Sequence, residues 1–254
     1  GEIESLFNSK SHKFEKFTYT FFPTPHFNIK NIKIYDEKDK NLKIAEIQNI
    51  NFFISQKNFF KKNDFEITSI KLINATININ KKNFINFNKL LSKPLNNKIN
   101  IIKSKIFLND NKNKTYSIIS IKNLNLFYKD SKFDNIANIS GNVFNLPFKL
   151  HHQINPFSKE TNLKINFQKI KLNFESKSKS EEFYSSKNEI FFLNSRLGID
   201  INNKENSNVY KINSANSNIN QTSINYSGNV NIEPFYFDFV FLVSNINLSK
   251  LIFL

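Results

Sequence analysis

The chain has 254 residues, a formal net charge of +15 at pH 7 and a mean hydropathy of -0.43, with 39% hydrophobic residues. Cysteine, methionine and tryptophan are absent while phenylalanine numbers 29; this excludes a disulfide framework, a thiolate metal site and a cysteine nucleophile. No stretch reaches the roughly 18–20 consecutive apolar residues that a membrane helix needs.

Residues 1–12 are polar. Phe17-Tyr19-Phe21 alternates with threonine and reads as a strand that stops at Pro23-Thr24-Pro25. Then comes the pattern that dominates the chain: two apolar residues at alternate positions, a step of three, and two more. It occurs as Phe27-Ile29-Ile32-Ile34, Phe65-Ile67-Ile70-Leu72, Ile119-Ile121-Leu124-Leu126, Ile165-Phe167-Ile170-Leu172 and Phe241-Val243-Ile246-Leu248. Each half has the period of two of a strand. A step of three sends the next side chain to the opposite face. One extra residue in a β-bulge returns both halves to the same face and bends the strand. These segments therefore predict bent strands, apolar on one side and polar on the other.

Between them, 36–41 is a polar turn, Leu42-Ile44 and Ile50-Phe52-Ile54 alternate, and 57–63 is a charged loop carrying Phe59 and Phe60. Ala75-Ile77-Ile79 continues the second bulged strand. The segment 84–91 (FINFNKLL), ended by Pro94, is the best candidate for a short helix. Ile99-Ile101, Ile106-Leu108, Ala137-Ile139-Gly141-Val143 and Leu146-Phe148-Leu150 predict further strands, with a turn at 109–114. Flexible excursions are expected at 176–188 and 202–218. Tyr226-Gly228-Val230-Ile232 and Phe235 to Val243 close the chain as a meander. The missing methionine and the apolar run at 246–254 lead us to expect an internal fragment of a longer protein, folded as one extended β domain over 1–254.

The fold class expected is all-β: a long, bent, mostly antiparallel sheet with one or two short helices. With so little helix, its apolar face must meet a second sheet, close into a barrel, or curl into an open groove around something apolar that is not protein. The positive charge does not by itself imply nucleic acid. Arg196 is the only arginine, whereas bidentate base and phosphate contacts favour arginine. Lysine, asparagine, isoleucine and phenylalanine share A/T-rich codons, so lysine drift on solvated faces accounts for much of the charge, and no nucleic-acid partner is expected.

Catalytic chemistry is sparse. His151-His152 would point to opposite faces of a strand and not chelate together. Asp36, Glu37 and Asp39 crowd one turn without a partner for acid–base work. There is no Gly-rich phosphate loop and no serine in a nucleophile-elbow context. No enzyme, no cofactor and no metal are expected.

The order of segments from Phe21-Phe22-Pro23-Thr24-Pro25-His26-Phe27 through Ile34, then Ala45 to Ile54, the Phe59-Phe60 loop, Phe65 to Ile79 and Phe84 to Leu91, resembles the opening of AsmA-family proteins. Gly141-Asn142-Val143-Phe144 through Leu150 and Ile246-Asn247-Leu248-Ser249-Lys250-Leu251 resemble later family blocks. The resemblance covers 13–150 best. The family's N-terminal membrane helix is missing, and glycine is scarce at 4.

The resemblance implies a periplasmic protein of a Gram-negative bacterium. It would be anchored in the inner membrane by a segment upstream of this chain. It would act in outer-membrane and envelope assembly by binding or conducting phospholipid acyl chains along a taco-like β groove. The groove-lining residues would be Phe27, Ile29, Ile32, Ile34, Phe65, Ile67, Ile70, Leu72, Ile119, Ile121, Leu124, Leu126, Ile165, Phe167, Ile170 and Leu172. The alternative is a structural or adhesive β-sandwich of a bacterial surface protein, in which the same residues form a dry core.

Overall fold

Branched and aromatic side chains at alternate positions, with asparagine and lysine between them, favour the pleated strand. The computed structural model describes residues 12–36, 42–55, 66–80, 91, 93–110, 114–180, 183–204, 207–220 and 222–244. Regular structure there is β-strand apart from two 3-10 turns and the helical residue Leu91. The all-β expectation holds. The chain divides into two compact units, Gly1–Lys149 and Leu150–Leu254.

The first unit contains β1 (His12–Lys13), β2 (Lys16–Thr20), β3 (His26–Tyr35), β4 (Lys43–Ile54), β5 (Ile67–Ile79), β6 (Lys98–Asn109), β7 (Thr115–Lys129) and β8 (Asp134–Val143). The strand β9 (Leu146–Ile154) starts after a two-residue turn at Phe144-Asn145, both with positive φ, and runs across the boundary between the units. β1 and β2 both pair with β3. From β3 to β8 neighbouring strands follow chain order and are antiparallel, except that β5 and β6 are parallel.

Register builds apolar rows across this sheet. One row joins Tyr19, Phe27, Phe52, Ile70, Ile99, Leu126 and Ala137, and the next joins Phe17, Ile29, Ile50, Leu72, Ile101, Leu124 and Ile139. Further along the strands, Ile34, Ala45, Ile77, Ile106, Ile119 and Val143 form another row. Between the two sets lies a seam. There the ladder passes over Asn31 in β3, Gln48 in β4, Asn74 in β5, Lys103 in β6 and Lys122 in β7. All five are polar and exposed, and Asn31, Asn74 and Lys103 take left-handed φ of 51°, 54° and 51°. Asparagine tolerates that region better than most residues.

The extra residue on each strand does what the step of three requires. Ile29, Ile32 and Ile34 are all buried although three positions separate the first two. Ile32, Ile34, Ile47 and Ile50 are 0% exposed. The seam stops at β8, where Ser140 and Gly141 are consecutive partners of Asn123 and Ile121. A Cβ on Gly141 would stand 2.1 Å from the Ser120 carbonyl oxygen, so only glycine fits against the last bulge. Where the seam interrupts the parallel β5–β6 pair, the Ala75 amide donates to Ser104 Oγ (2.9 Å) and that hydroxyl donates to the Ile102 carbonyl (2.8 Å). The buried serine thereby satisfies backbone that the ladder cannot.

Parallel neighbours need a long crossover, here residues 80–97. Its described end arrives on the apolar face. Leu91 is buried, and Asn135, placed by register on the face of Leu126 and Ala137, is 1% exposed. Asn135 Nδ2 donates to the carbonyls of Leu91 and Lys93 (2.8 Å each), and its Oδ1 accepts from the Leu95 amide (3.1 Å). The crossover is thus held above β8, three strands beyond β5.

The second unit contains β10 (Glu160–Phe167), β11 (Leu172–Ser180), β12 (Phe183–Phe192), β13 (Ser195–Lys204), β14 (Val209–Ser214), β15 (Ser217–Ile219), β16 (Thr222–Asn231) and β17 (Tyr236–Ser244). β10 to β13 form an antiparallel meander; β14 and β15 both bridge β13 to β16, and β17 pairs with β16.

Several sequence expectations change. Ile165-Phe167-Ile170-Leu172 is not a bulged strand. Its step of three is a 3-10 turn, Gln168–Ile170, followed by Lys171 at φ 51°, which folds β11 back on β10 so that Ile165 opposes Phe174. In β5 the seam falls between Leu72 and Ala75, while the step from Ile67 to Ile70 meets a second irregularity opposite Phe53/Ile54. The possible excursions at 176–188 and 202–218 are largely strand, in β11 to β15. Cross-strand polar pairs hold the first of them: Thr161 Oγ1 and Ser178 Oγ are 2.6 Å apart, and Lys179 lies 3.7 Å from Glu160. Phe65, the Phe59-Phe60 loop, 84–90 and 245–254 lie outside the described residues.

Replacing Asn135 with alanine strands two carbonyls and an amide. We expect a loss of about 2–3 kcal/mol, since an unsatisfied buried polar group costs roughly 1–3 kcal/mol. A urea titration checks this against Asn142→Ala on the exposed side of the same strand, expected to change stability by less than about 0.5 kcal/mol. Equal midpoints for the two variants would remove the crossover clamp from the account.

Candidate functional site

The residues proposed as groove lining separate into two environments. In the first unit Ile29, Ile32, Ile34, Ile70, Leu72, Ile121, Leu124 and Leu126 are buried, and Phe27, Ile67 and Ile119 are half-buried. A side chain with no exposed surface is already covered by protein, so most of this set is core. In the second unit Ile165, Phe167, Ile170 and Leu172 are all half-buried. No apolar side chain of that unit is buried among the described residues; the buried residues are Gly198 and the polar Ser186, Asn188, Asn203 and Ser217.

Register shows how large the second unit's apolar face is. Ile165, Phe174, Ile190 and Leu197 make one row, and Phe167, Leu172, Phe192 and Ser195 make its neighbour. Toward the other end lie Leu163, Ser176, Asn188, Ile199 and Ser214, then a row crossing seven strands: Thr161, Ser178, Ser186, Ile201, Ile212, Gly228 and Phe239. By this alternation every lysine, arginine, aspartate and glutamate on the described parts of β10–β17 falls on the opposite face. Three ion pairs form there across strands: Lys164 Nζ to Glu175 at 3.1 Å, Lys179 to Glu160, and Arg196 to Glu189, with Arg196 also 5.7 Å above the Phe191 ring.

The uncharged face has its own polar order. Asn188 Nδ2 donates to Ser186 Oγ (3.0 Å) and to the Ile199 carbonyl (3.1 Å). Ser217 Oγ accepts from the Gly198 amide (3.0 Å), and Tyr226 Oη donates to the Gly198 carbonyl (2.8 Å). Burial, more than the charge of Asp200, raises the Tyr226 pKa and keeps that hydroxyl a donor. These groups are spent on the backbone and on one another, which leaves the aliphatic and aromatic side chains as the contact surface.

At β17 the face opens. Phe235, Phe237, Phe239 and Phe241 follow one another with ring centroids 6.0, 6.3 and 5.9 Å apart, and Tyr226 sits 5.9 Å from Phe241. Phe237 and Phe241 are each 61% exposed. Gly228 leaves room for the Phe239 ring, whose atoms a Cβ there would meet at 2.7 Å.

Phe174, Ile190, Leu197, Ile212 and Phe239 were not singled out from sequence as lining residues. The strands of Phe174, Ile190, Leu197 and Ile212 alternate too, but carry serine or asparagine at some apolar-face positions, which breaks the repeated pattern used to find the others, whereas the strand of Phe239 alternates without a step of three. Of the seam strands, β6 escaped because Ser104 takes an apolar place, and β4 keeps the motif's spacing at Ala45-x-Ile47-x-x-Ile50-x-Phe52 but begins it on alanine.

Among the described residues no group of three or more histidine, cysteine, aspartate or glutamate side chains is placed to hold a metal ion. No helix there is long and apolar enough to cross a membrane. No family model matches the chain, and no curated protein matches it.

His152 is the titratable group whose environment bears on stability. Burial, then the neighbouring His151, lowers its pKa below the ordinary imidazole value. Above about pH 6.5 both folded and unfolded states hold it neutral. As pH falls through that value the unfolded chain takes up the proton first, so stability declines until the folded-state pKa is also passed. Denaturation midpoints measured from pH 7.5 down to 5 should fall for the parent protein and fall less for His152→Gln. Identical pH profiles for the two would contradict this assignment.

Proposed function

We propose that the protein is an AsmA-like envelope component whose second unit binds phospholipid acyl chains on the uncharged face of β10–β17, without catalysis, and serves lipid movement in outer-membrane assembly from the periplasm. The observation that carries this reading is that face. In a chain of net charge +15 it bears no charged residue on the described strands, and its apolar side chains remain half-buried or exposed. An apolar surface of that extent marks a site of interaction rather than ordinary solvent contact.

The chemistry required is modest. An acyl chain of about sixteen carbons gains on the order of 12 kcal/mol if its methylenes are buried at roughly 0.8 kcal/mol each. Ordering the chain and losing its free translation subtract from that gross figure. Within a row the side chains follow one another about every 4.8 Å from strand to strand, so a chain moving along the face passes from one uncharged side chain to the next. A surface built this way holds a methylene chain without fixing it at one place, which is the property conduction needs. The buried face of the first unit serves here as the folding core that keeps its own sheet intact.

Phe174→Asp and Ile190→Asp put a carboxylate into the middle of this face. Each should reduce capture of a photoactivatable fatty acid by about tenfold or more, a change of roughly 1.4 kcal/mol, while far-UV circular dichroism stays that of the parent. Lys187→Asp on the opposite face should leave capture unchanged. Undiminished capture by the folded variants would sink the proposal, and so would a parent protein that takes up no fatty acid, the behaviour of a dry sandwich. Ile29→Asp is unsuitable as a test, because it buries a charge in the first unit's core and should prevent folding.

A further inference from the structure

The lysines are not spread evenly over the polar faces. Strands β3–β7 of the first unit carry nine lysines against a single acid, Glu46. Glu46 is engaged by Lys43. Glu15, Asp36 and Glu66 lie just outside these strands, and Asn31 donates to Glu15 (2.6 Å). Lys30, Lys98, Lys103, Lys105 and Lys122 are exposed, and none has an ion-pair partner among the described residues; Lys33, also exposed, faces Glu46 across the ladder. Lys30 stands directly opposite another lysine, Lys16. Like charges facing each other across a ladder are unfavourable, and two of the lysines, Lys103 and Lys122, occupy the seam where an uncharged residue would serve the backbone as well. The second unit's strands β10–β17 come closer to balance, with seven basic residues against five acids: Lys164, Lys179 and Arg196 each meet a carboxylate, Lys187 opposes Asp200 on one side and Lys177 on the other, and Lys177 and Lys211 have no ion-pair partner among the described residues. Lysine drift alone would leave both faces alike.

Between the lysines the first unit's polar face places asparagine rows, such as Asn100, Asn125 and Asn138, in direct register. The surface therefore combines unpaired ammonium groups with amides that donate and accept, and it contains no arginine. Ammonium groups act as point charges on phosphate and do not need the planar bidentate geometry that arginine supplies.

We propose that this lysine- and asparagine-covered face of the first unit, centred on Lys30, Lys98, Lys103, Lys105 and Lys122, docks on a bilayer surface bearing anionic phospholipid headgroups. The inference is independent of acyl-chain binding, since it concerns a different face of a different unit. Each lysine near such a surface strengthens binding about fivefold, and the attraction is screened within a Debye length.

The test is co-sedimentation of the full chain with vesicles of pure phosphatidylcholine and of phosphatidylcholine mixed with phosphatidylglycerol. Binding should need the anionic lipid and fall steeply between low and high salt. The triple variant K30Q/K98Q/K105Q should bind about a hundredfold more weakly, and K30R/K98R/K105R should bind as the parent does. K177Q/K187Q/K211Q removes the same charge from the second unit and should lose far less. Equal losses for the two glutamine triples would overturn the proposal, because binding would then follow net charge alone. Equal binding to both kinds of vesicle, or tighter binding to a single-stranded RNA homopolymer than to anionic vesicles, would overturn it as well. Unchanged acyl-chain capture by K30Q/K98Q/K105Q separates this docking from the second unit's site.

Discussion

A strand that must present apolar side chains over ten or more residues, and must also bend, has to break its alternation without changing faces. The first unit meets that constraint with one extra residue per strand, placed at the same level in five neighbours. A single misplaced insertion would turn half of a strand's isoleucines toward water. Five aligned ones leave two blocks of in-register ladder with a polar seam between them. The rest of that unit follows: asparagine and lysine where the backbone turns left-handed, Ser104 where the parallel pair needs a hydroxyl, and Gly141 where the last strand has no extra residue to match.

The step of three was legible because it repeats, and in β3 and β7 it marks the seam directly. It misled where a tight turn gives the same spacing. Between Phe167 and Leu172 the two apolar pairs belong to different strands, and local pattern does not distinguish a residue bulged out of a ladder from residues that reverse the chain. The expected excursions failed for another reason. Ser176, Lys177, Ser178 and Lys179 have little strand propensity alone, and their stability comes from partners in β10 and β12 that are distant in sequence. The parallel pairing of β5 and β6 and the clamp at Asn135 were also invisible, since nothing near Asn135 in sequence indicates that it meets the backbone of 91–95.

The two units apply one alternating rule to different ends. In the first, branched aliphatics bury the middle of the face, with Ile32, Ile34, Ile47 and Ile50 at 0% exposure, and most lysines on the other side have no carboxylate partner. In the second, serine and asparagine take up places on the apolar face, leaving it incompletely filled, and acids on the other side come close to balancing the lysines. The surplus of positive charge and the surplus of uncovered apolar surface thus reside in different units. A codon-driven composition explains how lysine and phenylalanine became abundant, but not why they are partitioned in this way.

The claim on which the functional reading turns is that the second unit's apolar face is open to a ligand while the first unit's is closed. The chain has no native cysteine, so single cysteines report on each face without background. The most direct measurement is the rate of maleimide labelling of Ile190→Cys and Ile47→Cys in the folded protein, with and without fatty acid. Rapid labelling that fatty acid suppresses is expected at 190, and no labelling at 47 until the protein is unfolded. Slow labelling at 190 that is indifferent to fatty acid would contradict it.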